Sequence, residues 1–138
     1  MPLPGGKGVS EGPIRTLFTF DEATGGTFNL DRYTLGFEPG FIDNVDGGPV
    51  GVTLTIPDPS IVMLDLTIAP SEWNSFEDVV VVTISLAGTG VSPKDVLGLW
   101  YNKQTGLWEQ VSLNYSEEGN TVSLELKHFS RYALANSN

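Results

Sequence analysis

Two side chains able to take a proton and to attack a carbonyl, His128 and Ser130, flank Phe129 near the end of the sequence. His128 is the only histidine in the chain. In the stretch LELKHFSRYAL, two-residue alternation places Leu124, Leu126, His128, Ser130, Tyr132 and Leu134 on one face of an extended segment. That face starts apolar, so the arrival of a base and a hydroxyl has two readings. The strand turns a corner there, or a nucleophile and a base sit together beside the Phe129–Ser130 peptide bond. An imidazole with an ordinary pKa near 6.5 can accept a hydroxyl proton and return it to a leaving amine, help worth about 10²–10⁴-fold. In the structural reading His128 satisfies a backbone carbonyl at the core edge, Phe129 fills the end of the core, and Ser130 bonds backbone. The structural role is the leading expectation.

Other constellations offer less. DNVDGG gathers Asp43, Asn44 and Asp46 in a glycine-rich loop whose oxygens could ligate calcium. It lacks the full spacing and distal glutamate of an EF-hand loop, so an acidic turn is the expectation, as it is for Asp21 and Glu22. With no cysteine and one histidine there is no thiol nucleophile, no disulfide framework and no convincing transition-metal set. The stretch LGLWYNKQTGLWEQV reads as a hairpin around NKQTG, with glycine available for a positive φ. Leu97, Leu99 and Tyr101 then share the face that meets Leu107, Val111 and Leu113. Trp100 and Trp108 pair across strands on the other face, a stacking platform for a polysaccharide or a patch for a protein partner. A bulge near Leu107 would instead turn Trp108 inward, and core or sheet-covering roles are the leading expectation for both indoles. Trp73 is expected to anchor a loop over a sheet end.

The elements that must position these residues follow a period of two. Ile14 to Phe20 is a first apolar run, ended by DEATGG. Thr27 to Phe37 changes parity between Leu30 and Tyr33, which predicts a bulge or break near Asp31–Arg32. Val50, Val52, Leu54 and Ile56 alternate until Pro57 and Pro59, and Val62, Leu64, Leu66 and Ile68 alternate until Pro70. Asp78 to Leu86, rich in valine and isoleucine, reads as a central strand. Val96 to Tyr101, Leu107 to Leu113, Thr121 to Lys127 and Ser130 to Ala135 complete the set, and SPKDVL is at most one helical turn. The spacing predicts an all-β fold, an antiparallel β-sandwich of about eight or nine strands.

At 138 residues the chain fits one domain, expected over 14–136, after a flexible lead-in over 1–13 that carries no hydrophobic signal core. Seventeen acidic and seven basic residues give a net charge of −10, which argues against nucleic acid or an anionic membrane as the target. No run of about 18 apolar residues is present, so no membrane insertion by a helix is expected.

The stretch GGTFNLDRYTLGFEPGFI resembles the opening of a ZU5-type domain, in which paired glycines precede a strand and a PPGA-like turn. Here the turn is Glu38, Pro39, Gly40 and Phe41. LGLWYNKQTGLWEQV followed by EGNTVSLELKHFSRYAL is similar to the C-terminal half of ZU5-like modules of bacterial and archaeal surface proteins. The matching pieces cover roughly residues 25 to 135. The resemblance implies a β-sandwich module of a larger extracellular, cell-surface or scaffold assembly, with other domains or proteins of that assembly as partners; a non-enzymatic role without a cofactor is the leading expectation. It also implies an alternative, since some relatives cut themselves between the Phe and Ser of an HFS tripeptide. Carried over, Ser130 is the nucleophile, Phe129 supplies the attacked carbonyl, and His128 assists. The hydroxyl would shift the acyl group from nitrogen to oxygen and water would hydrolyse the ester. A planar amide resists this, so the fold would have to hold the bond strained.

Overall fold

The computed structural model describes residues 14–42, 49–57, 61–69, 76 and 78–136. Eleven strands form two antiparallel sheets, as an all-β sandwich requires. In chain order they are β1 (Ile14–Asp21), β2 (Gly26–Leu30), β3 (Tyr33–Phe37), β4 (Pro49–Ile56), β5 (Met63–Ala69) and β6 (Val80–Ser85). Then follow β7 (Val96–Asn102), β8 (Leu107–Val111), β9 (Asn114–Ser116), β10 (Thr121–Leu126) and β11 (Arg131–Asn136). One sheet has the order β1-β4-β5-β11-β7-β8 and the other β2-β3-β6-β10-β9. Among the described residues the one helical element is a 3₁₀ turn at Pro93–Asp95, and no helix is long and apolar enough to cross a membrane.

The core lies between the sheets, and the alternating runs supply it. Val50, Val52, Leu54 and Ile56 of β4 are buried, with Thr53 and Thr55 turned to the outer face. Leu64, Leu66 and Ile68 of β5 face inward likewise. β6 is central in the second sheet, between β3 and β10, and packs Val80, Val82 and Ile84 inward. β-branched residues suit such strands because they pack well on a pleated surface.

The described residues form two or three more strands than the spacing predicts, for local reasons. The parity change at Asp31–Arg32 is a two-residue hairpin turn closed by the Leu30–Tyr33 pair, with Asp31 at φ +53°. The Arg32 guanidinium donates to the Ser85 and Ala87 carbonyls at 2.9 and 3.3 Å, which ties that hairpin to the end of β6. The run after Leu107 also divides. β8 stays in the six-stranded sheet, whereas β9 pairs with β10 in the other.

All seven phenylalanines of the chain join one network of ring contacts. Phe18 and Phe20 of β1 meet Phe28 of β2 at 5.0 and 5.1 Å between centroids, so the network bridges the two sheets. Phe37 and Phe41 carry it inward, and Phe76 and Phe129 close it at 4.9 Å. Edge-on and tilted pairs at these distances add about 0.5–1.5 kcal/mol each beyond burial.

Candidate functional site

Lys127 to Ser130 is the corner by which the chain leaves one sheet and enters the other. β10 belongs to the five-stranded sheet, and β11 is inserted between β5 and β7 of the six-stranded sheet. Backbone and side-chain bonds hold this corner from three directions. The Phe76 N–H donates to the Lys127 carbonyl at 2.8 Å, the Leu66 N–H to the Ser130 carbonyl at 2.9 Å, and the Tyr132 hydroxyl to the His128 carbonyl at 2.8 Å. Phe129 is buried at the end of the phenylalanine network, against Phe37 and Phe76. None of these four residues has a positive φ, so the turn is made without left-handed backbone.

The corner breaks the phase of the alternation. Leu124 and Leu126 are buried in one sheet, Tyr132 and Leu134 in the other, and between them the inward residue is Phe129, with His128 and Ser130 half-buried on either side. His128 and Ser130 open onto different cavities. The His128 ring stands edge-on to Trp100 at 5.5 Å and lines a cavity of about 220 Å³ with Leu126 and Tyr132. The Ser130 hydroxyl points toward the Tyr101 carbonyl at a long 3.5 Å and lines a groove of about 660 Å³ on the outer face of the six-stranded sheet. Among the described residues no hydrogen bond joins the His128 ring to the Ser130 hydroxyl. The Trp100 indole N–H, buried beside His128, finds no acceptor among the described residues.

The two-tryptophan platform does not form. Trp100 pairs with Glu109 and Tyr101 with Trp108, so the two indoles lie on opposite faces of the hairpin. Trp100 packs against the core, while Trp108 packs at a tilt against Tyr101, 5.3 Å between centroids, on the outer face and is 39% exposed. The loop sets this register. It closes over Lys103 to Gly106 with the Asn102–Leu107 pair, and Gly106 sits at φ +73°. A one-residue change of register moves every side chain to the other face.

Asp43, Asn44, Asp46 and Trp73 lie outside the described residues, as does the lead-in over 1–13. Among the described residues no three carboxylate or imidazole groups converge as a metal set. The Asp21–Glu22 turn holds a residue whose burial the sequence did not signal. Asp21 behaves as a turn residue, its carboxylate accepting from the Ala23 N–H at 2.8 Å. Glu22 is 1% exposed, and its carboxylate accepts from the Ile42 N–H at 3.3 Å. Its carbonyl accepts from the Gly40 N–H at 3.0 Å, so Glu22 fastens the first turn to the EPGFI turn.

The groove on the outer face could hold a ligand, and its side chains come from register. Arg15 of β1 stands opposite Thr55 of β4, Thr55 opposite Asp65 of β5, and Asp65 opposite Arg131 of β11. These four residues form one row across four neighbouring strands. Thr53 and Thr67 pair in an adjacent row. Arg131 and Asp65 join in a two-point ion pair, with the second bond at 2.7 Å. That hydrogen-bonded carboxylate pushes the Arg131 pKa above its usual value. Neither Arg15 nor Lys103 has an ion-pair partner among the described residues.

No protein-family model matches the chain, and no curated protein matches it significantly.

Proposed function

We propose that this chain is a non-enzymatic structural or interaction module, carried within a larger extracellular or cell-surface protein of a prokaryote and meeting other domains or proteins of that assembly. The resemblance of its GGTFNLDRYTLGFEPGFI and HFSRYAL stretches to ZU5-like modules supports the setting. One observation carries the non-enzymatic half of the reading. Phe129 and His128 pack against aromatic rings, the Ser130 carbonyl accepts from the Leu66 N–H, and the base and hydroxyl that self-cleavage would couple open onto separate cavities. A proton cannot pass directly between groups that share no hydrogen bond.

The discriminating experiment is the intact mass of freshly purified protein, followed through long incubation. A mass that stays at full length supports the module reading. Loss of Ser130–Asn138, abolished by Ser130→Ala, would replace it with self-cleavage between Phe129 and Ser130.

A further inference from the structure

We infer that the groove across the outer face of the six-stranded sheet is a binding site for an acidic saccharide, a chain of pyranose rings carrying scattered carboxylates. The inference deepens the interaction-module reading and rests on it.

Charge is the first argument. The chain has 17 acidic and 7 basic residues, yet the described residues lining the groove include Arg15, Lys103 and Arg131 against one carboxylate, Asp65. Asp65 is already neutralised by Arg131. Arg15 and Lys103, with no ion-pair partner among the described residues, stand ready to meet an anion from outside at two ends of a groove that crosses the sheet. Strands lie about 4.8 Å apart and Lys103 follows β7, four strand spacings from β1, so Arg15 and Lys103 stand about 19 Å apart across the sheet. That spacing suits a ligand whose charges are sparse. A densely charged polymer would instead meet the long-range repulsion of a chain at −10, screened only over about 8–10 Å.

The second argument is what else the groove presents. Peptides commonly dock on sheets by adding a strand to an exposed edge, where backbone groups are unpaired. This groove lies over β4, β5 and β11, inside the sheet, where both neighbours take up the ladder. It can offer side chains only. Thr53, Thr55 and Thr67 present hydroxyls that have no hydrogen-bond partner among the described residues. Each hydroxyl both donates and accepts, as sugar hydroxyls do. Tyr101 forms one wall, backed by Trp108, and supplies a ring for a pyranose face to stack on. The volume of about 660 Å³ falls within the usual range for ligand sites.

The test is calorimetric titration with a galacturonic acid tetrasaccharide at low salt. Three controls accompany it: the methyl ester of the same saccharide, hexaglutamate, and sedimentation of the protein alone. The expected result is binding by the free acid that weakens with salt, with the neutral ester and the peptide weaker by at least about tenfold, the worth of a charged hydrogen bond. Arg15→Gln should weaken the acid by about tenfold and leave the methyl ester unchanged. Arg15 is exposed on an edge strand, so the variant should fold, which its thermal unfolding checks. Absence of binding by the acid, equal binding of hexaglutamate, or an unaltered titration in Arg15→Gln each overturns the saccharide site. So does sedimentation as a dimer that Arg15→Gln dissociates, because the groove then holds a second copy. None of these results touches the intact-mass measurement on which the module reading stands.

Discussion

Raising the pH should unfold this protein through two tyrosines. Tyr33 and Tyr132 are 1% and 3% exposed, and burial pushes both phenols well above their ordinary pKa. An unfolded chain releases these protons near pH 10, whereas the folded state keeps them. The unfolded state therefore binds fewer protons above pH 10, and the stability that the neutral phenols contribute is fully present below that pH and lost as pH climbs toward the folded-state values. At about 1.4 kcal/mol per pH unit, each phenol costs about 1.4 kcal/mol between pH 9 and pH 11, and the pair about 2.7. Phenylalanine variants isolate the effect. Tyr132→Phe gives up the 2.8 Å bond to the His128 carbonyl, a loss of about 1 kcal/mol at neutral pH. It also gives up the alkaline penalty, so its stability should overtake that of the parent close to pH 11. Tyr33→Phe, with a longer 3.3 Å bond to the Met63 carbonyl, should cross at a lower pH. Urea unfolding followed by circular dichroism from pH 8 to pH 11 measures the curves. Parallel curves for parent and Tyr132→Phe would refute the reasoning, because the phenol would then ionise in the folded protein.

Gly25→Ala should lose about 2–5 kcal/mol, since Gly25 sits at φ +65° and a Cβ there would lie 2.3 Å from the Phe37 carbonyl oxygen; chemical denaturation measures it. Phe129→Ala should cost about 3–5 kcal/mol by opening the closed end of the phenylalanine network, and Phe129→Leu distinctly less. Gly98→Ala should cost about 1–3 kcal/mol, because its Cβ would press on the Val111 carbonyl oxygen at 3.2 Å and on Leu124 at 3.0 Å. A thermal midpoint unchanged in Gly98→Ala would mean that β7 and β8 spread apart more easily than their ladder implies.

The strands of this sandwich were legible where burial on one face imposed alternation. Val50 to Ile56 and Val62 to Ile68 carry that signal without interruption, because each strand is sandwiched on one side and open on the other. The break at Asp31–Arg32 was legible too, since a two-residue turn necessarily shifts parity. The corner at Lys127–Ser130 was harder to read. Leu126 and Tyr132 are both buried and keep the same parity, so the pattern looks continuous although the chain changes sheet between them. The odd-numbered Phe129 was the one local sign of the crossing. The faces of Trp100 and Trp108 were not legible, because apolar residues stand on both sides of β7 and the loop geometry fixes the register. The groove was invisible for a different reason. Arg15, Thr55, Asp65 and Arg131 are spread along the sequence and become neighbours only through strand pairing.

The place of β11 has a consequence for how the protein is made. It follows the other described strands in sequence, yet its neighbours β5 and β7 stand on either side of it in the middle of the six-stranded sheet. Until Asn136 has cleared the ribosome's exit tunnel, those two strands expose bare edges to whatever else is nearby. At about 5–20 residues per second, that window lasts several seconds. The nascent chain should be a client for holding chaperones throughout that interval, because the six-stranded sheet cannot close before β11 is available.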